Sequence, residues 1–270
     1  MRLLYDYWTG TVSPISVDAA GRWGSGDVLP LDYGSHKLLR LYNRLPDFLF
    51  LKHKKLYEFV SSGRLSKIAE KQSKELPNIY ATVYRGGGVL NRHSIETTYP
   101  ENISMEERHQ LVLDAMKGFE KELLVKLRLE PEVHWSSIPG GVEISIMNHL
   151  PVGVVEMEGN FAPDTDIFFD IDGDGKISDS DQRLDYNWLA DRLVLDGVFY
   201  ANRNFKGEHV PTSFRLIFSK PVSVDKITVS NVLTGVQRLA AKTNKPSGLS
   251  PTNLNRVVQQ DKPPKNTVLS

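Results

Sequence analysis

Residues 164–182 read DTDIFFDIDGDGKISDSDQ. Approached from the N-terminal side, IFFDID is a bulky apolar run that ends in two alternating carboxylates, Asp170 and Asp172. Side chains at i and i+2 of a strand leave the same face. The run therefore predicts a central, largely buried strand over 166–172, with both carboxylates at its end and able to share one cation. Approached from the C-terminal side, residues 170–181 form a twelve-residue oxygen-ligand loop. Asp170, Asp172 and Asp174 take its first, third and fifth positions. Gly175 stands sixth, where the backbone must turn sharply, and Lys176 offers its carbonyl at the seventh. Ile177 is the apolar eighth residue, Ser178 the ninth, and Asp181 fills the twelfth, where a longer glutamate is usual. A plain Asp-Gly turn without metal is the third reading, since these residues tolerate turn dihedrals. So many carboxylates in twelve residues repel one another unless a cation joins them.

Working outward, the chain offers 270 residues, enough for one large domain or two smaller ones, with 40% hydrophobic and 24% charged residues. There is no cysteine, which excludes disulfides and thiolate zinc sites. Asp6 and Gly10 interrupt the N-terminal apolar run, so no signal peptide is expected. No stretch of ~18 apolar residues exists, so no membrane span is expected and the expected compartment is the cytoplasm. The charge is uneven: residues 151–200 carry twelve acids and three bases, residues 201–270 three acids and eleven bases. Either a metal site lies beside a track for a polyanion, or the two segments neutralise each other.

Residues 1–34 predict short strands and turns. A helix is expected from Ser35 to the proline at 46, a second over roughly 47–61 ended by Gly63, and a third, RLSKIAEKQSKEL, closed by Pro77. NIYATVYRGG (78–87) reads as a strand. Residues 104–129 form the strongest helix, with Ser104 and Glu107 as a capping box and Leu111, Met116, Phe119, Leu123 and Leu127 on its apolar face. Two strands are expected around the Pro-Gly-Gly turn of 134–150, and others over 152–159 and 213–222. Residues 180–197 predict a helix facing inward with Leu184, Trp188, Leu189 and Leu193, and 226–245 predict a last helix. The polar, proline-rich end is partly irregular. Mixed elements without βαβα alternation make the fold class α+β.

Several short motifs resemble one family in the right order. IFFDID is similar to the hydrophobic-hydrophobic-Asp-x-Asp strand of archaeo-eukaryotic primases and primase-polymerases, of the plasmid or viral replication type. GEHVPTSFRLIF (207–218) and VSVDKI (222–227) look like its later motifs, NIYATVYR (78–85) like an upstream strand, and TNLNRVV (252–258) like a segment near the domain's end. The resemblance implies an RRM-like catalytic core of mixed or antiparallel sheet flanked by helices. It implies Mg2+ or Mn2+ on Asp170, Asp172 and Asp225, the ions activating a 3′-hydroxyl and neutralising a triphosphate. His209, or else Arg215, would meet the nucleotide with Ser213, and Arg256 would face a phosphate. Implied partners are a DNA template, nucleoside triphosphates and adjoining helicase or other replication domains, with no membrane. The domains would be a mostly helical 1–77, a catalytic 78–258 and a polar tail, 259–270.

The loop half supports a different class, a non-enzymatic Ca2+-binding domain. Its ligands would be Asp170, Asp172, Asp174, Lys176, Ser178 and Asp181, in a loop that resembles those of EF-hands and dockerins. A helix should precede an EF-hand loop, whereas IFFD reads as strand. Elsewhere, YRGGGVLNRH (84–93) can cradle a phosphate but reads first as a hairpin loop, and it lacks the Lys-Ser/Thr ending of a P-loop. No Gly-x-Ser-x-Gly elbow is present. His93, His134 and His149 lack ligand spacing. Lys242, Lys245, Lys262 and Lys265 either track a nucleic-acid backbone or belong to a solvated tail.

Overall fold

The structure is a computed structural model that describes residues 2–6, 11–15, 32, 37–85, 105–189 and 192–249. The chain divides into two units, residues 1–28 with 56–126, and residues 29–55 with 127–270.

The first unit holds a two-stranded antiparallel ribbon, β1 (Arg2–Asp6) with β2 (Thr11–Ile15), and two long helices. These are α3 (Arg64–Arg85) and α4 (Met105–Leu127), the latter reaching the unit boundary. The α4 helix is the one expected from the apolar spacing, and Ser104 of the expected capping box lies outside the described residues. Leu113 and Leu123 are buried on it, whereas Phe119, expected inward, is exposed. Glu120 is buried and accepts a hydrogen bond from the Ser66 hydroxyl of α3. Pro77 does not close α3, and the strand expected over 78–87 is helix through Arg85. Proline removes a single backbone donor from a helix, and the flanking turns keep theirs.

The second unit opens with α1 (Lys37–Tyr42) and the start of α2 (Pro46–Ser61). Proline is well placed at the first position of α2, where its missing N–H would have had no helical partner. Gly63, at φ +63°, follows the helix in the left-handed conformation that ends it. The rest of the unit is strand. A six-stranded sheet has the order β15-β3-β4-β12-β6-β7 and a five-stranded sheet the order β14-β13-β5-β9-β8. In the first are β3 (Val133–Ile138), β4 (Gly141–Ile146), β6 (Ile167–Asp170), β7 (Gln182–Leu184), β12 (Thr212–Phe218) and β15 (Ala241–Lys242). In the second are β5 (Val152–Phe161), β8 (Tyr186–Leu189), β9 (Arg192–Phe199), β13 (Val222–Asn231) and β14 (Gln237–Leu239). A small pair, β10 (Asn202–Arg203) with β11 (His209–Val210), lies between β9 and β12 in the chain. Only the β15–β3 contact is parallel among the described ladders, so the class is α+β with mixed and antiparallel sheets.

The two sheets share one apolar core. Ile144, Phe214, Leu216, Ile167 and Phe169 come from the six-stranded sheet and meet Met157, Leu193, Leu195, Phe199 and Ile227 from the other. Phe199 stacks on Phe214 with centroids 4.4 Å apart and planes 3° from parallel, and Phe169 lies 5.7 Å from Phe214. Aromatic pairs at such distances add to the area they bury.

Two expected helices are strands. Residues 180–197 form β7, β8 and most of β9, because burial alternates along β9: Leu193 and Leu195 are buried between half-buried Arg192, Val194 and Asp196. A period of two defines a strand. Residues 226–245 form most of β13, then β14 and β15. Ile227 and Val229 are buried on one face, and Gly235 at φ +73° turns the chain back after Asn231. The β-branched residues at the start of that stretch suit a pleated surface better than a helix.

Against one wall of the second unit lies a buried polar cluster around Asp32. Its carboxylate accepts from Arg203 Nε at 2.6 Å, His53 Nε2 at 2.8 Å and Lys52 Nζ at 3.0 Å. The Asp32 carbonyl accepts from Asn43, and His53 Nδ1 lies 3.1 Å from the Tyr200 hydroxyl. Burial pushes the Asp32 carboxyl up, but the His53 hydrogen bond and the Arg203 and Lys52 charges outweigh it and hold it well below the usual range. These bonds fasten Asp32 and the start of α2 to Arg203 of β10 and to Tyr200, the residue after β9.

Candidate metal centre

The expected strand over 166–172 is present but shorter, ending at Asp170, so Asp170 and Asp172 do not share a strand face. Ile167 and Phe169 of β6 are buried in the core, and Asp170 leaves from the opposite face at the strand's last position. Asp172 lies beyond the strand and is exposed. The chain then curls back on itself. Asp170 accepts the Gly173 N–H at 2.7 Å with one oxygen and the Gly175 N–H at 3.1 Å with the other. Asp172 accepts from Asp174 N–H, and Asp174 from Lys176 N–H at 2.7 Å. Each carboxylate thus caps the next turn, which is why alternate aspartates suit this curl. Gly175 has φ +78°, and an added Cβ would meet no atom within 4 Å, so the backbone angle alone requires glycine there.

The result is a convergent group: oxygens of Asp170, Asp172 and Asp174 lie within 4.8 Å of one another. Asp181, at the loop's twelfth position, acts as a brace. Its oxygens accept from Ile171 N–H at 3.0 Å and Ser178 N–H at 2.7 Å, closing the loop onto its first strand. The Ser178 hydroxyl also reaches Asp181, and the Ser180 hydroxyl reaches Asp172 at 3.2 Å. Burial pushes the Asp170 carboxyl up despite its two backbone donors, and the neighbouring carboxylates of Asp172 and Asp181 add to this. The Asp174 N–H holds the Asp172 carboxyl below its ordinary value. Three convergent carboxylates form a hard oxygen donor set, suited to Ca2+, Mg2+ or Mn2+.

The other expected site residues are spread over the fold. Asp225 is exposed on β13 of the five-stranded sheet, at a bulge where Val224 pairs with Gly159 and Lys226 with Glu158. It is not among the gathered carboxylates. His209 is on β11, its ring 6.1 Å from that of His149, and burial together with Arg203 lowers its pKa. Ser213 of β12 is buried and its hydroxyl donates to the Leu249 carbonyl. Arg215, also on β12, pairs directly with Asp170 across the ladder, and its Nη1 donates to the Gly173 carbonyl at 2.6 Å. Lys176 is exposed in the loop. Arg256, Lys262, Lys265 and His93 lie outside the described residues, as do most of 84–93 and the segment 252–258.

Sequence reasoning missed Glu143 of β4. It is 3% exposed, and it takes the Arg215 Nε at 3.4 Å on one oxygen and the Ser247 N–H at 2.7 Å on the other. The only signal in the sequence was an acid at an interior place in VEISI. Among the described residues no helix is long and apolar enough to cross a membrane. Comparison with protein-family models, curated proteins and solved structures finds no match for this chain.

Proposed function

We propose that residues 170–181 bind a divalent cation, Ca2+ by preference, and that this gives the second unit a cation-stabilised loop at the end of its six-stranded sheet. The observation that carries the reading is the convergence of Asp170, Asp172 and Asp174 oxygens within 4.8 Å, in a loop with glycine at the position of sharpest turn. Ca2+ takes six to eight oxygens in flexible geometry, and the three carboxylates supply the first of them, with water free to complete the shell. The loop follows a strand in place of a helix, so the site is a lone cation clasp rather than half of a paired EF-hand. Asp181 braces the loop where a glutamate would reach the ion, which points to modest affinity. Isothermal titration of the chain with CaCl2 and MgCl2 tests this. Saturable calcium heat, lost in Asp172→Asn/Asp174→Asn, is expected; no heat and no calcium-dependent rise in Tm would reject it.

A second reading is nucleotidyl transfer by a primase-polymerase-like domain using Mg2+ or Mn2+, a DNA template and nucleoside triphosphates. The observation that favours it is Arg215, a cationic side chain beside the carboxylate at the end of a buried strand. It also requires an RRM-like core and a third carboxylate, and Asp225 belongs to the other sheet. Nucleotide incorporation on a primed template with Mn2+, abolished by Asp170→Ala, would support it. The absence of any incorporation would remove it.

A further inference from the structure

Directly paired residues on neighbouring antiparallel strands face the same side of a sheet. Ser136 pairs with Glu143, Glu143 with Arg215, and Arg215 with Asp170, so one polar row crosses β3, β4, β12 and β6. The neighbouring residues Trp135, Ile144, Phe214 and Phe169 point into the core, which places this row on the sheet's outer face. Ser145 and Ser213, a pair on the same face, form part of the next row. A polar outer face would ordinarily meet solvent, yet Ser136, Glu143, Ser145 and Ser213 are each 2–3% exposed.

Residues 243–249 leave the β15–β3 ladder and reach this face at Glu143 and Ser213. The Thr243 N–H donates to the Trp135 carbonyl at 2.7 Å. The Ser247 N–H and hydroxyl both donate to one Glu143 oxygen, at 2.7 and 2.9 Å, and the Leu249 carbonyl accepts from Ser213 at 3.2 Å. The segment is a strap over β3, β4 and β12. The other Glu143 oxygen takes Arg215, whose Nη1 holds the Gly173 carbonyl between two of the clustered aspartates. A continuous line of hydrogen bonds therefore runs from strap to Glu143, to Arg215, to the cation loop.

We propose that the 243–249 strap is a latch coupled to cation occupancy of the 170–181 loop through Arg215 and Glu143. The proposal rests on the cation reading above. With a cation bound, the carboxylates no longer repel and the Gly173 carbonyl is held in place. Arg215 then has a fixed acceptor, and the Glu143 carboxylate is fixed with its second oxygen aimed at Ser247. Without the cation the loop loosens, Arg215 loses its anchor, and the strap's central acceptor is free to turn away. Linkage makes the effect reciprocal: whatever factor the cation adds to strap closure, closure adds to cation affinity.

The test uses the full chain. Hydrogen exchange in residues 243–249 is followed with and without saturating CaCl2, beside calcium titrations of wild type, Arg215→Gln and Ser247→Ala. Expected are exchange slowed about fivefold or more by calcium and, by reciprocity, weaker calcium binding in Ser247→Ala, which loses the hydroxyl donor to Glu143 and keeps the N–H. In Arg215→Gln, calcium should no longer change strap exchange. Ser247 is exposed at the strap, so its variant keeps the test open if Arg215→Gln does not fold. Calcium binding to wild type with unchanged strap exchange, or an unchanged affinity in Ser247→Ala, overturns the latch alone. No calcium binding at all overturns the cation reading instead.

Discussion

Asp32→Asn is the most demanding substitution the second unit offers. The side chain keeps its shape and loses its charge, while Arg203, His53 and Lys52 still point at it. Asp32 and Arg203 are each 1% exposed, so Arg203 becomes an uncompensated buried cation. One amide oxygen cannot replace two carboxylate oxygens that accept three donors, and the new NH2 group would face a donor. Removing one partner of a buried ion pair costs about 3–5 kcal/mol. That is a large share of the about 5–15 kcal/mol that holds a typical domain together. Urea unfolding followed by tryptophan fluorescence reads the change, since Trp135 is buried in the same unit. With a slope of about 1–3 kcal/mol/M, the midpoint should fall by about 1 M or more. Removing the stranded charge as well, in Asp32→Asn/Arg203→Met, should recover about half of the loss, because a neutral pair no longer carries an unpaired ion. A single variant within about 1 kcal/mol of wild type, or a double variant that merely sums the two single losses, would refute the argument.

His53 should make stability depend on pH. Burial lowers its pKa despite the Asp32 hydrogen bond, and Arg203 and Lys52 lower it further, so the folded state prefers neutral imidazole. Its contribution is complete above the unfolded value of about 6.5 and falls with pH below that, by at most about 1.4 kcal/mol per unit. Urea midpoints between pH 8 and 5 should show the slope in wild type and a flatter one in His53→Gln. Gly175→Ala forces a Cβ into a left-handed angle and should destabilise the loop by about 1–2 kcal/mol. Calcium titration should show weaker binding, and unchanged affinity would argue that the loop rearranges. Phe169→Ala removes the ring behind Asp170 and should cost about 3–5 kcal/mol in chemical denaturation; a loss under about 1 kcal/mol would mean that the aromatic stack closes around the gap.

What the sequence made legible was local. The run DIFFD, the Pro-Gly-Gly hairpin and α4 all announce themselves within a dozen or so residues, through apolar pattern and turn chemistry. The loop was legible too, because Asp170, Asp172, Asp174 and Gly175 act on neighbours two to five residues away. The misread stretches carry two periods at once. Leu184, Trp188 and Leu189 fit a helical face, and only burial against Val155 and Met157 of β5's sheet selects the strand pattern of Leu193 and Leu195. Sheet membership was not legible. Val224-Asp225 falls where a third carboxylate motif was expected, but nothing in a ten-residue strand states which sheet it joins. The Asp32–Arg203 pair joins residues 171 positions apart. The Glu143–Ser247 contact joins residues 104 positions apart. Such partners are fixed by the packing of strands, which short-range pattern does not encode.

The strand order has one more consequence. The outermost strands of the two sheets are β15 and β7, and β14 and β8, with two, three, three and four residues. The ten-residue strands β5 and β13 are interior to theirs. A long bare edge is a template on which another chain can add a strand, and short edges blunt that hazard. Among the described residues, β5 is paired with β13 along its length and with β9 over Val152–Glu158, whereas β14 covers only Thr228–Ser230 of β13. The stretch of β13 before Thr228 is therefore the longer open edge in this unit, and charged Asp225 and Lys226 on it work against strand addition.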